Sequence, residues 1–388
     1  DKTQFTHRNV HPALDMGCTA CHNPHSTKGE RLLKAQPPEL CYQCHDKGMF
    51  TQKVVHPALE MGCLSCHNPH STEAPRLLQA DTPQLCFNCH SNDPFTKKSQ
   101  HPPVASGRCT ACHSPHSEKR EKLLMDTPPQ LCFKCHPKDD FTQKIRHPAL
   151  EMGCLACHDP HSSNAEARML VTPMPDLCFN CHDKTKIMGY KVMHPPVEAG
   201  MCTACHGPHT AKTDKLLKED PPKLCLNCHA QEELRGRRRH GPYKIGQCMA
   251  CHYPHGGPEQ KLLVKVPPEL CFNCHQRGEF NRKKVHPPVE AGMCFECHGI
   301  HTTNHPHMLT RKRNQVCLKC HPDIPKSPHP VTAISGKGHP LSGPRDPKRR
   351  GRRFGCVSCH VPHSSDWGRL FRYKAQSALQ LCTYCHPK

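Results

Sequence analysis

Apolar side chains are scarce in this 388-residue chain: 35% of its residues are hydrophobic, 5% are aromatic, and there is one tryptophan. That is too little to build the usual core for such a length. No apolar run is long enough to span a membrane, and the opening DKTQFTHRNV lacks the charged-then-apolar pattern of a signal peptide. The chain is therefore expected to be the mature form of an exported protein, with no transmembrane segment and no lipidated N-terminal cysteine. Long regular elements are not expected either, because 41 prolines and 23 glycines break the chain at short intervals.

Read without its 32 cysteines and 36 histidines, the chain would pass for a basic disordered polypeptide. With them, something bound to those residues must replace the missing core. Every cysteine falls in C-x-x-C, and a histidine follows each pair at once. The copies in the first half of the chain are Cys18, Cys21 and His22; Cys41, Cys44 and His45; Cys63, Cys66 and His67; Cys86, Cys89 and His90; Cys109, Cys112 and His113; Cys132, Cys135 and His136; Cys154, Cys157 and His158; and Cys178, Cys181 and His182. The second half holds Cys202, Cys205 and His206; Cys225, Cys228 and His229; Cys248, Cys251 and His252; Cys271, Cys274 and His275; Cys294, Cys297 and His298; Cys317, Cys320 and His321; Cys356, Cys359 and His360; and Cys382, Cys385 and His386.

Successive copies start 22 to 24 residues apart until the last two intervals, of 39 and 26. Taken in pairs they define eight repeats of about 46 residues, an array signature. Repeat 2 reads HPALEMGCLSCHNPHSTEAPRLLQADTPQLCFNCH: His-Pro, a first CxxCH, Pro-His, a basic residue before two apolar ones, then Pro-x-Leu and a second CxxCH. Residues 1–321 hold seven repeats, 322–355 a Pro/Gly/Arg-rich insertion or linker, and 356–388 the eighth. Pro83 and Pro129 are placed to open short helical turns that would set Cys86, Cys89 and His90 on one face.

The spacing has a mechanical reason. Two thiols three residues apart can each form a thioether to one haem, and the adjacent histidine then reaches the iron, which is the c-type attachment pattern. Zinc ribbons also use paired C-x-x-C, but neither they nor redox-active or disulfide pairs require a histidine after every second cysteine. Sixteen motifs imply sixteen covalent haems and their irons.

Twenty histidines lie outside the motifs, and their placement points to the second face of each iron. Eight follow a first motif in the Pro-His position: His25, His70, His116, His161, His209, His255, His301 and His363. Seven precede a first motif by seven or eight residues: His11, His56, His101, His147, His194, His240 and His286. The eighth of that class is His339, with His329 as rival. A Pro-His histidine lies on the same side as its own proximal histidine and should reach a different haem. His7, His305 and His307 are left over as non-ligands. Methionines near the first motif, such as Met16 and Met201, hold no constant position and are read as packing residues.

The formal charge of +20 is largely offset once haem propionates are counted, leaving about +4 oxidised and about −12 reduced. Basic clusters such as RGRRRH at 235–240 are read as propionate partners or a docking face rather than a nucleic-acid site.

CHNPHS, CHSPHS and CHVPHS, each followed by a Leu-Leu-like pair and LCxxCH, resemble the doubled-CxxCH multihaem cytochromes. The signature is also similar to that of decahaem cytochromes housed in porin conduits and of extracellular cytochrome filaments. The resemblance implies a mostly irregular fold with short helices, an elongated chain of eight di-haem repeats in which haems form the core. It implies long-range electron transfer through sixteen bis-histidine haems, with no enzymatic chemistry and with other redox proteins as donor and acceptor. Sixteen motifs in a regular array depart from the decahaem members, so an extracellular homopolymeric filament is the expected placement. An outer-membrane β-barrel conduit and a periplasmic carrier are the alternatives. In a filament with ligands offset by one repeat, His7 and His11 would serve across subunits. A multihaem oxidoreductase would need one open haem.

Overall fold

The computed structural model describes residues 5–165, 168–229, 235–326, 329 and 339–386. They group into two bodies, Asp1–His182 with His206–Leu216, and Asp183–Cys205 with Leu217–Lys388. Within the insertion expected at 322–355, residues 327, 328 and 330–338 lie outside the described residues.

Regular structure comes in single turns, as the proline content requires. Among the described residues the longest helix, Arg313–Leu318, has six residues, and the strands are two residues long. In repeat 2, His56 is extended and Pro57 starts a 3-10 turn, Pro57–Met61. Proline suits that first position because its missing N–H has no partner there anyway. Gly62 then takes φ 87°, a left-handed conformation open to glycine, and delivers the chain to the turn at Cys63–Ser65. The second motif lies on a four-residue helix, Gln84–Phe87 in repeat 2 and Gln130–Phe133 in repeat 3. Pro83 and Pro129 stand just before these helices in the N-cap position, each after a cis peptide bond. His90 N–H donates to the Cys86 carbonyl at 3.0 Å, so Cys86, Cys89 and His90 share one turn.

Each repeat is tied to the next by a short antiparallel ladder. The dipeptide before a His-Pro pairs with the dipeptide after the Pro-His of the following repeat: Asn9–Val10 with Ser71–Thr72, Val54–Val55 with Ser117–Glu118, and so on to Lys284–Val285 with Ser364–Ser365. A hydroxyl locks the ladder. Ser162 Oγ donates to the Pro94 carbonyl at 2.7 Å and accepts the Lys97 N–H at 3.2 Å. Ser117, with Met49 and Gln52, and Ser364, with Glu279 and Arg282, repeat the arrangement.

The interior reflects the composition. Its largest fully buried side chains are Ser71, Ser162 and Ser364, and its buried apolar residues are mainly alanines, with Leu263 and Phe371. The polypeptide exposes 27097 Å². A compact monomer of its 43.7 kDa would expose about 15,000 Å². The chain thus leaves far more of its surface uncovered than a compact protein of its mass.

Candidate haem sites

The turns above bring each second-motif histidine to the His-Pro histidine of its own repeat. Ring centroids lie 6.2 Å apart for His11 and His45, 6.0 Å for His56 and His90, and 6.1 Å for His101 and His136. The series continues with His147 and His182, His194 and His229, His240 and His275, and His286 and His321, at 6.0 to 6.3 Å. In the eighth repeat His339 faces His386 at 6.3 Å.

First-motif histidines meet a different partner, the Pro-His residue one repeat further on. His22 faces His70 at 6.2 Å, His67 faces His116 at 6.0 Å, and His113 faces His161 at 6.0 Å. His158 with His209, His252 with His301, and His298 with His363 follow at 5.8 to 5.9 Å. The ladder explains the offset. His56 N–H donates to the His116 carbonyl at 2.8 Å, and the same bond joins His101 to His161, His147 to His209, His194 to His255 and His286 to His363. The strand that carries one class of candidate ligand therefore positions the other.

A backbone acceptor orients every first-motif ring. Nδ1 of His22, His67, His113, His158, His206, His252, His298 and His360 lies 2.8 to 3.1 Å from the carbonyl oxygen of Arg31, Arg76, Lys122, Arg168, Lys215, Lys261, His307 and Arg369 respectively. These eight acceptors, and the Leu or Met after each, have φ between 52° and 62°. Left-handed pairs of this kind cost on the order of 1–2 kcal/mol per residue and persist only where surroundings impose them. Here they aim a carbonyl at Nδ1, which leaves Nε2 as the free lone pair. This acceptor was missed in the sequence reading. Its one signal was the basic residue that precedes each apolar pair.

Burial first, then the opposing histidine, holds His70, His116, His161, His209 and His363 below the ordinary histidine value. The same causes, in the same order, depress His11, His56 and His147. Neutral imidazole is the form that binds a metal.

The eighth repeat departs from expectation. His329 and His339 were rivals for one place, and both lie at this junction. His339 faces His386, while the His329 carbonyl accepts the His339 N–H at 2.8 Å, as the Pro-His carbonyl does elsewhere. His329 is also close enough to His360 to lower its pKa, after burial. The His329 carbonyl thus stands where the Pro-His carbonyl stands in other repeats.

His25, grouped with the ligands by sequence, is exposed and faces no second histidine among the described residues. His7 bonds Glu73 at 3.0 Å, and His307 contributes its carbonyl to His298.

Thiols line the junctions between repeats. The Cys41 thiol hydrogen-bonds that of Cys63, Cys86 that of Cys109, and Cys271 that of Cys294. Burial foremost pushes Cys41, Cys86 and Cys271 up to about 11. Among the described residues no three His, Cys, Asp or Glu side chains converge on one point as a zinc site would require.

The pairs fit haem iron instead. With about 2 Å from metal to each imidazole nitrogen and about 1 Å more to each ring centre, opposed axial rings stand about 6 Å apart. Fourteen pairs lie at 5.8 to 6.3 Å.

No curated protein matches the sequence. The family model described as "Doubled CXXCH motif" matches eight times, at residues 11–50, 56–95, 101–141, 147–187, 194–234, 240–280, 286–326 and 349–388. With those eight tandem matches covering most of its length, the chain belongs to the doubled-CXXCH family and is a multihaem cytochrome with sixteen covalently attached c-type haems.

Proposed function

We propose that this cytochrome conducts electrons over long range, with each iron closed on both faces by histidine. The observation that carries this reading is the set of fourteen opposed histidine pairs at a spacing that one iron fills. Haem supplies a one-electron Fe(III)/Fe(II) couple. The chain's own residues would anchor it through the C-x-x-C cysteines, hold it between paired histidines and orient the first-motif ring through the left-handed carbonyl. Offset ligation makes each repeat structurally dependent on the next, which keeps successive sites close.

We place the protein outside the cell, as a subunit of a conducting filament. Repeat 1 supports this placement. His25 N–H bonds Asn23 Oδ1 at 3.2 Å and Thr27 Oγ1 bonds the Gly29 carbonyl at 3.0 Å. The docked Pro-His of repeat 2 has the same bonds, from His70 to Asn68 and from Thr72 to Ala74. The exposed segment therefore already has the shape that the docked copies hold. His25 replaces His7 and His11 as the residue for a cross-subunit contact, since His11 faces His45 and His7 bonds Glu73.

Electron microscopy of native holoprotein from cell surfaces tests the placement. Filaments are expected, whereas discrete particles bound to a β-barrel would make the protein a conduit. Spin state tests the chemistry: the ferric protein should be wholly low-spin and the ferrous protein should not take up carbon monoxide. A high-spin signal with carbon monoxide binding would mark an open iron and an enzyme.

A further inference from the structure

In repeats 1 to 7 the His-Pro turns fall into two structural classes, and the class predicts the angle between opposed rings. In repeats 1, 2 and 4 the histidine precedes its cysteine by seven residues, and an alanine follows the proline, as in PALEMG at 57–62 and 148–153. The turn is 3-10, and the ring planes are inclined by 46° for His11 and His45, 52° for His56 and His90, and 57° for His147 and His182.

In repeats 3, 5, 6 and 7 the interval is eight residues, and a proline stands two after the histidine, as in PPVEAGM at 195–201 and 287–293. The turn is α-helical. The ring planes are nearly parallel, at 14°, 11°, 9° and 19°.

The two classes also differ in what Nδ1 faces. Ala58 and Ala149 turn a backbone N–H, and not a carbonyl, toward Nδ1 of His56 and His147, at 3.3 and 3.2 Å, so an Nδ1 proton has no acceptor on that side once Nε2 is given to a metal. His11, in the same class, lacks that bond yet keeps the tilt. A proline at this position has no N–H. Nδ1 of His101, His194 and His286 instead lies 2.9 to 3.1 Å from the carbonyl of Pro160, Pro254 and Pro362, next to the Pro-His of the following repeat. A carbonyl at Nδ1 makes the imidazole a stronger donor to a bound metal.

We infer that the His-Pro turn sets the electronic class of each second-motif haem, tilted and weakly donating in repeats 1, 2 and 4, parallel and strongly donating in repeats 3, 5, 6 and 7. This rests on the bis-histidine reading. Parallel imidazole planes act on the same iron d orbital and split it from its partner, which gives a rhombic low-spin spectrum. Inclined planes act on both orbitals, reduce the splitting and push the largest g value upward. Stronger donation stabilises ferric iron, so the parallel class has the lower potential.

Exchange of turns in the full holoprotein tests this. PALEMG at 57–62 and 148–153 is replaced by PPVEAGM in one variant, and PPVEAGM at 195–201 and 287–293 by PALEMG in the other. Ferric electron paramagnetic resonance is recorded beside a haem count. The first exchange should move about two sixteenths of the low-spin intensity from high g to the rhombic signal and lower the potential of that fraction; the second should do the reverse. Should either exchange lose haem, the length-preserving pair P196A and P288A, which restores an N–H, should shift intensity to high g. Sixteen low-spin haems with the wild-type spectrum in the variants that retain them would overturn the inference. High-spin iron in the wild-type protein would instead overturn the bis-histidine reading beneath it.

Discussion

The carbonyl oxygen of Arg76 lies 3.1 Å from Nδ1 of His67 and belongs to a residue whose φ is 58°. A backbone acceptor is thus held in place by a conformation that side chains disfavour. Glycine meets no such penalty, so Arg76→Gly should leave stability unchanged or raise it by up to about 1 kcal/mol. Arg76→Val should lower it by about 1–2 kcal/mol, because a branched Cβ tolerates positive φ worst. Denaturant melts followed at the haem absorbance separate the two.

The offset predicts where a lost ligand is felt. His116→Ala should open the haem attached at Cys63 and Cys66, whose proximal histidine is His67, and leave the haem of its own first motif, with His113, closed by His161. One sixteenth of the haem should become high-spin and bind carbon monoxide. Mapping the site with labelled His67 and His113 checks it; an effect at His113 would contradict the offset.

How much of this could be read beforehand depends on what carries each feature. The motifs, the period and both classes of spare histidine are side-chain patterns, so His56 and His116 stood out by position. The one-repeat offset is set by the two-residue ladder Val54–Val55 with Ser117–Glu118, which is too short to leave a sequence signal. The acceptor at Arg76 is a backbone atom, invisible to residue type. His329 was read as a rival of His339 because the insertion broke the period, although its carbonyl meets the His339 N–H as a Pro-His carbonyl does elsewhere.

The buried serines should be structural keystones despite their size. Ser162→Ala leaves the Pro94 carbonyl and the Lys97 N–H without their shared partner in a site that is 0% exposed. A loss of about 1–3 kcal/mol is expected, and hydrogen exchange at Lys97 should accelerate. Unchanged protection at Lys97 would show that the hydroxyl is dispensable.

Asp346 gives the eighth repeat an acid limit. Burial alone would raise its pKa, but the Ser358 hydroxyl and Arg349 outweigh burial and bring it below the usual carboxylate range. Arg349 Nε donates to it at 2.8 Å, and the N–H groups of Lys348 and Arg349 donate at 3.0 Å. A depressed carboxylate stabilises the fold above its unfolded pKa, and that contribution fades as pH falls from about 4 toward the folded value. Asp346→Asn should therefore cost about 3 kcal/mol at neutral pH and progressively less below pH of about 4. Paired melts across that range check the sign.

The central claim, that first-motif haems are ligated across repeats, is tested most directly by an electron cryo-microscopy map of the holoprotein at side-chain resolution. The account predicts density running from His22 through iron to His70, and from His67 through iron to His116. Density joining His67 to His70, or an iron with one face open, would contradict it.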